Sequence, residues 1–229
     1  MAFARHEKKY ICTPQTIKIM HSRLKGLLKP DPHTNLGAYT VYSLYFDSNI
    51  NISAAENDAG DIKRAKYRIR YYNALEGLKL EKKQKINGLT QKDSVPITQT
   101  QAESLISGDV AKLLHSKEPL LKEMAIKIAT QHFTPKVIVV YTRYPFVCPT
   151  SDIRVTLDTK ICCSYQTDRF LNGGFAKIPL AATTSNIMEV KFNQVLPSYI
   201  KMALSDDSLI QSTFSKYYLA RKRAAEIGR

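Results

Sequence analysis

The chain has 229 residues, 44% of them hydrophobic and 24% charged, enough length and apolar material to bury a core, which excludes a disordered polyelectrolyte. Its 34 Lys and Arg outnumber 20 Asp and Glu for a formal net charge of +14, so an anionic partner is expected. The nine glycines lack Walker spacing, the five histidines are scattered, and the four cysteines show no CxxC, which argues against a P-loop or a zinc centre and leaves free thiols as the default.

Taken in chain order, the first ten residues carry charges where a signal peptide needs an apolar core, and no apolar run approaches the roughly 20 residues of a membrane span. A soluble, cytoplasmic protein with one domain over residues 1–229 is expected. After an opening strand, Thr13 and Pro14 form a helix start, and Ile17, Met20, Leu24, Leu27 and Leu28 follow at helical spacing. Lys29-Pro30-Asp31-Pro32 is a breaker, and residues 39–46 read as a strand. Residues 49–61 are polar and predict a loop. Two strands follow at 65–72 and 78–86, joined by a hairpin over 73–77. From Thr98 to His132 the period becomes helical, predicting two or three helices around Leu105, Ile106, Leu113, Leu114, Leu120, Leu121, Met124 and Ile128. Strands are expected over 136–143, 153–158 and 187–192, and helices over 199–204 and 215–227.

Five segments place ionisable side chains on alternate positions of one parity: Arg5, Glu7, Lys9; Lys66, Arg68, Arg70; Lys79, Glu81, Lys83, Lys85; Arg154 and Asp158, with Thr156 between them; and Glu189, Lys191. Residues at i, i+2 and i+4 of a strand share one face. Each segment therefore has one charged and one mainly apolar face. Charge facing solvent is the ordinary meaning of such alternation. The excess of cations favours a hollow instead, since like charges about 4 Å apart repel by roughly 4 kcal/mol at an effective dielectric near 20 and need an anion or water between them. Lys8, Lys66 and Lys82 are read as solvated surface charges, Arg221, Lys222 and Arg223 as a solvated helix face, and the tyrosines as packing residues. Asp158 is expected to pair with an arginine.

In order, the pieces Arg5-His6-Glu7-Lys8-Lys9-Tyr10, SLYFDS (43–48), Tyr67-Arg68-Ile69-Arg70-Tyr71-Tyr72, LEKKQK (80–85), YTRYPF (141–146), IRVTLD (153–158), MEVKF (188–192) and FSKYYLA (214–220) resemble the triphosphate tunnel superfamily. The resemblance is closest to its VTC-type polyphosphate polymerase domain and covers nearly the whole chain. It implies an α+β fold: an eight-stranded antiparallel β tunnel or barrel with a polar, basic interior, flanked by helices. It further implies that Lys9, Arg68, Arg70, Lys83, Lys92, Arg143, Arg154, Lys191 and Lys216 bind phosphates, with Arg68, Arg70, Lys83, Arg143 and Lys191 at the reacting centre. Glu189 is the expected ligand of Mn²⁺ or Mg²⁺. Glu81 and Glu7 are either further ligands or partners that orient lysines.

The activity implied is transfer of the ATP γ-phosphate to a growing polyphosphate. Such chemistry needs positioning and charge neutralisation more than a protein nucleophile. ATP and polyphosphate are the implied partners, without a membrane-spanning segment in this chain, and nucleic acid is disfavoured. The start departs from the tunnel hydrolases, which carry Glu-x-Glu-x-Lys where this chain has Arg5, Glu7 and Lys9. Loss of that carboxylate leans toward transfer. The alternatives are a tunnel-type triphosphatase acting on inorganic, nucleoside or organic triphosphate, and a non-catalytic polyphosphate sensor or RNA-binding module.

Overall fold

The computed structural model describes residues 6–32, 34, 37–49, 63–86, 89–180, 186–213 and 215–226, with backbone only at 63, 64, 85, 86, 89 and 90. Arg5 and most of the expected 49–61 loop lie outside the described residues. Eight strands of seven or more residues carry the architecture: β1 (His6–Cys12), β3 (Tyr39–Asp47), β4 (Lys63–Tyr72), β5 (Lys79–Ile86), β6 (Leu89–Pro96), β7 (Thr134–Val147), β8 (Arg154–Ser164) and β10 (Asn186–Phe192). Three two-residue strands, β2 (Lys29–Pro30), β9 (Ile178–Pro179) and β11 (Ile210–Gln211), attach to them. The helices are α1 (Pro14–Leu27), α2 (Gln99–Ser107), α3 (Pro119–Gln131), α4 (Ser198–Ala203) and α5 (Lys216–Glu226). None of the helices among the described residues is long and apolar enough to cross a membrane.

All strands belong to one antiparallel sheet in the order β11-β1-β10-β8-β7-β3-β4-β5-β6. The α+β class and the long-strand count agree with expectation, but the sheet is not a closed barrel. Among the described residues no ladder joins β6 back to β1. The seam is bridged by side chains: Lys83 Nζ of β5 donates to both carboxylate oxygens of Glu7 of β1 at 3.3 and 3.2 Å. The two ends of the strand order therefore curl toward each other around a bore.

Alternation decides which side chains enter that bore. On β4, Tyr67, Ile69 and Tyr71 join an apolar cluster with Leu44, Leu80, Leu105, Leu121 and Met124, so α2 and α3 cover the outer face while Lys66, Arg68 and Arg70 take the other. On β8 and β10, Val155, Leu157, Met188 and Val190 pack with Ile17, Met20 and Leu24 of α1 and Ile200 of α4. Helix α1 begins where the sequence predicts: Thr13 Oγ1 accepts the Thr16 N–H at 3.1 Å, with Pro14 in the first turn. A third cluster contains Val41, Tyr45, Val139, Tyr141 and Ile161 together with Tyr217 and Ala220 of α5. Val41 and Tyr45 share parity with Ser43, which contacts Arg70, so α5 packs on the inner face and fills one part of the concavity with apolar material.

Three differences from expectation have physical causes. Strand β6 was not predicted, because LTQKDSVP lacks a run of β-branched or aromatic residues; it is an edge strand, and polar side chains are what such edges carry. Strand β7 continues past Arg143 through Pro145, where β2 pairs with Phe146 and Val147. Its register against β8 shifts between Val140 and Thr142, the mark of a bulge. Strand β8 likewise runs on to Ser164, carrying Ile161 and Cys163 into the third cluster. All four cysteines are free.

Candidate active site: a cation-lined bore

Three clusters of charge, each spanning several strands, line the bore. In the first, β4 and β5 set Arg68 opposite Glu81. Arg68 Nε donates to Glu81 Oε2 at 2.7 Å, its Nη2 lies 2.7 Å from the same oxygen, and its Nη1 donates to the Tyr45 hydroxyl at 2.8 Å. Arg70 donates through Nε to Ser43 Oγ at 2.9 Å and through Nη2 to the Tyr141 hydroxyl at 3.4 Å, with Nη1 3.5 Å from Glu81. Lys92 of β6 pairs with the other oxygen of Glu81. The Glu81 carboxylate is 1% exposed. Burial raises its pKa, but Arg68, Arg70 and Lys92 overcome that and hold it far below the ordinary carboxylate range. Burial opposes the charge on Arg68 too, and Tyr45 and Glu81 outweigh it.

In the second cluster Asp158, 0% exposed, receives a two-pronged contact from Arg143: Nε to Oδ1 at 2.6 Å and Nη2 to Oδ2 at 2.7 Å. Lys216, the first residue of α5, adds its ammonium to Oδ2 at 2.7 Å and sits 4.6 Å from the centre of the Tyr141 ring. Burial works against the Asp158 charge, yet Arg143 and Lys216 hold its pKa low. This fork fixes the plane of the guanidinium. Arg143 Nη2 also reaches to 3.7 Å from Glu189, which links the second cluster to the third.

The third cluster comes from register between β1 and β10, which sets Lys9 opposite Glu189 and Glu7 opposite Lys191. Lys9 Nζ lies 2.8 Å from Glu7, and Lys191 Nζ lies 3.4 Å from Glu189. Burial depresses the Lys9 ammonium, but Glu189 and Glu7 more than compensate and raise it. Lys83 behaves differently: burial, with help from Lys9 and Lys191, pushes it down to about 8 despite Glu7 and Glu189. An ammonium depressed in this way lacks enough negative charge around it, and an anion in the bore would supply the difference.

The carboxylates divide between two roles. Glu7 and Glu189 are within hydrogen-bonding reach of each other, and Glu189 is 7% exposed. Burial raises the Glu189 pKa, while Lys191, the Glu7 contact, Lys9 and Arg143 bring it well below the usual range. Two facing carboxylates repel unless a proton or cation lies between them, and their hard oxygens suit Mg²⁺ or Mn²⁺. That pair fits a divalent ion whose remaining ligands are water and substrate oxygens. Glu81, weighed as a further ligand, is instead occupied by Arg68, Arg70 and Lys92. Among the described residues no three His, Cys, Asp or Glu side chains gather as a metal-binding group.

Other expected residues fall at the periphery. Arg154 pairs with the buried Asp31 at 2.8 Å and donates to the Tyr39 hydroxyl at 3.3 Å. Lys82 takes the outer face that its parity suggests but is not a solvated charge: its side chain is 16% exposed and meets Glu123 of α3 at 2.7 Å. Lys66 is not a solvated surface charge: it donates to Ser215 Oγ at 3.0 Å, beside the start of α5. Arg221 and Arg223 are half-buried, so of that trio Lys222 alone is exposed. Ser43, Tyr45 and Asp31 were missed as partners of the arginines. Ser43 and Tyr45 occupy alternate positions in SLYFDS, which is the only local signal; nothing in the sequence near Asp31 announces Arg154.

Glu81, Asp158 and Glu189 give the fold a pH dependence of definite sign. A carboxylate whose folded pKa lies below its unfolded value adds stability that is present above the unfolded value and lost as pH falls through the folded one. The melting temperature is therefore expected to drop progressively from about pH 5 toward pH 2. Thermal melts followed by circular dichroism test this, and a flat acid profile would contradict the ion-pair assignments.

The comparisons with known proteins agree with this architecture. A protein from Hippeastrum, described as an adenylyl cyclase candidate with a dominant triphosphatase activity, superposes with a TM-score of 0.57 at 14% identity, covering 96% of both chains. An adenylate cyclase candidate from Bacillus halodurans gives 0.52 at 14% identity, over 84% of this chain and 82% of the other. A Pyrococcus horikoshii protein gives 0.50 at 12% identity, over 96% and 99%. No curated protein matches the chain. The profile of the VTC domain matches residues 4–224, and the chain belongs to the VTC domain family.

Proposed function

We propose that this protein is a metal-dependent polyphosphate polymerase that transfers the γ-phosphate of ATP to the end of a polyphosphate chain held in the bore. The observation that carries the reading is the convergence of Arg68, Arg70, Lys83, Arg143 and Lys191 from four strands around a lumen that also presents Glu7 and Glu189. A more general statement, an enzyme acting on triphosphates, rests on the family and the cation-lined bore together. Lys9, Lys92, Arg154 and Lys216 extend the basic lining beyond the central residues.

Arginines locked by Glu81 and Asp158 would grip non-bridging phosphate oxygens with their remaining N–H groups, while the lysines supply point charges along the chain. Because the acceptor is itself a phosphate oxygen, no side chain has to act as nucleophile, and positioning with charge neutralisation suffices. A divalent cation held by Glu7 and Glu189 would supply Lewis-acid polarisation of the phosphoryl oxygens. The proposed compartment is the cytoplasm.

Incubation of the purified protein with ATP and Mn²⁺ is expected to give ADP and a ladder of phosphate polymers on a gel. Free phosphate without polymer would replace this reading by the triphosphatase one, which the described activity of the Hippeastrum protein favours. An RNA-binding role would need exposed stacking aromatics interleaved with base-reaching cations. Tyr45, Tyr67, Tyr71, Tyr141 and Tyr217 are instead buried.

A further inference from the structure

Three-way contacts at Arg68 single out an uncharged residue beside the cationic lining. Tyr45 is 7% exposed, and its hydroxyl accepts the Arg68 Nη1–H at 2.8 Å. Glu81 meets the same guanidinium on its Nε and Nη2 edge. Arg68 has five N–H groups, and these contacts engage three of them. Two remain. The Tyr45 ring is itself fixed by stacking on Tyr217 of α5, with centroids 5.1 Å apart and planes at 29°, and the Tyr217 hydroxyl is anchored on Asp47. A chain of contacts thus runs from α5 through two tyrosine rings to an arginine of the bore.

We propose that Tyr45 is a positioning residue that acts through Arg68: its hydroxyl and Glu81 hold the guanidinium from two sides, so that the two uncommitted N–H groups are presented to a phosphate. The inference rests on the reading of the bore as a phosphate-binding site. Without the hydroxyl, Arg68 keeps Glu81 but gains freedom to pivot about that edge, and each phosphate contact then has to order the side chain first. The effect should appear in anion capture more than in fold stability, because the phenylalanine ring preserves the stack on Tyr217.

Tyr45 also marks the role with a pH signature. Burial raises the phenol, but Arg68, Arg70 and Lys216 bring it down to about 8; Lys9 of β1 and Tyr217 of α5 also face it. Above that pH the phenolate places a negative charge against Arg68 and weakens anion binding. Lys83 contributes its own alkaline decline, but it is common to wild type and Tyr45→Phe, so the ratio of the two isolates Tyr45.

The test is a double-mutant cycle on the full chain, with Tyr45→Phe, Arg68→Ala and both together. Inorganic tripolyphosphate is the titrant in calorimetry, and melting curves confirm that each variant folds. At pH 7, Tyr45→Phe is expected to weaken binding roughly tenfold, the size of one hydrogen bond to a charged group, with little change in melting temperature. In the Arg68→Ala background the same substitution should change affinity by less than about twofold. The wild-type advantage should shrink between pH 7 and pH 9.5. Equal affinity of wild type and Tyr45→Phe overturns the proposal while leaving the bore as a phosphate site. An undiminished Tyr45→Phe penalty without Arg68 overturns it in the same way. Absence of tripolyphosphate binding by the wild type overturns both.

Discussion

Replacing Glu81 by alanine is expected to destabilise the fold by about 3–5 kcal/mol, the range for removing one partner from a buried ion pair. The carboxylate is 1% exposed and opposes Arg68, Arg70 and Lys92 at once. Its loss leaves two guanidinium groups, 15% and 7% exposed, without their shared counter-charge, while Lys92 can turn to solvent. Urea unfolding measures the change, and Glu226→Ala provides the comparison: that carboxylate is 50% exposed and pairs with Arg223 three residues earlier in α5, so its removal should cost no more than about 1 kcal/mol. Tripolyphosphate should then stabilise Glu81→Ala more than wild type, since a bound anion replaces the missing counter-charge and raises the melting temperature by mass action. Equal losses for the two variants, or no differential rescue, would mean that the cations of the bore are compensated in some other way.

The same cluster shows why part of the site was legible in the sequence and part was not. On β4 and β5 a strict two-residue period separates Arg68 and Arg70 from Tyr67, Ile69 and Tyr71, and Glu81 and Lys83 from Leu80, so the charged faces could be assigned before any contact was known. The period says nothing about closure. That the bore is bridged by Lys83 and Glu7, with the sheet open between β6 and β1, depends on residues 76 positions apart. Lys66 reads as a solvated surface charge because its partner, Ser215, lies 149 positions away. Tyr45 and Tyr141 were read as packing residues, which their rings are; their hydroxyls point at Arg68 and Arg70, and strand parity alone does not distinguish a buried ring from one whose polar tip meets a cation. Strand β6 illustrates a further limit. Its place follows from hairpin pairing with β5, while its composition is that of a polar edge, so propensity gives no warning of Lys92 beside Glu81.

The division of the carboxylates has a consequence for how charge is used. Glu81 and Asp158 are saturated by cations on their own side of the bore, which makes them scaffolding for Arg68, Arg70 and Arg143. Glu7 and Glu189 face each other and draw on partly exposed lysines, Lys9 at 2.8 Å and Lys83 and Lys191 at 3.2 and 3.4 Å. Buried ion pairs of the first kind contribute to the fold only if they stay intact. The second kind can exchange partners, as binding of a cation and a polyanion requires.

Glu189→Gln is the substitution that separates these roles most sharply. It preserves shape and removes one negative charge from the lining, so ATP and polyphosphate should bind at least as tightly as to wild type. Turnover with Mn²⁺ should nevertheless fall roughly 10³-fold, since several kcal/mol of transition-state stabilisation is attributed to the ion that Glu189 would hold. A lowered kcat with unchanged or reduced KM is the expected signature, because ground-state anion binding is kept while an interaction made in the transition state is lost. Glu7→Gln should act in the same direction through the facing carboxylate, and the concentration of Mn²⁺ giving half-maximal rate should rise in both. Equal loss in kcat/KM through KM alone would instead mark Glu189 as a residue that orients Lys191 and Arg143. Undiminished turnover in Glu189→Gln would remove it from the metal site altogether and leave the bore's cations to stabilise the transferred phosphoryl group by themselves.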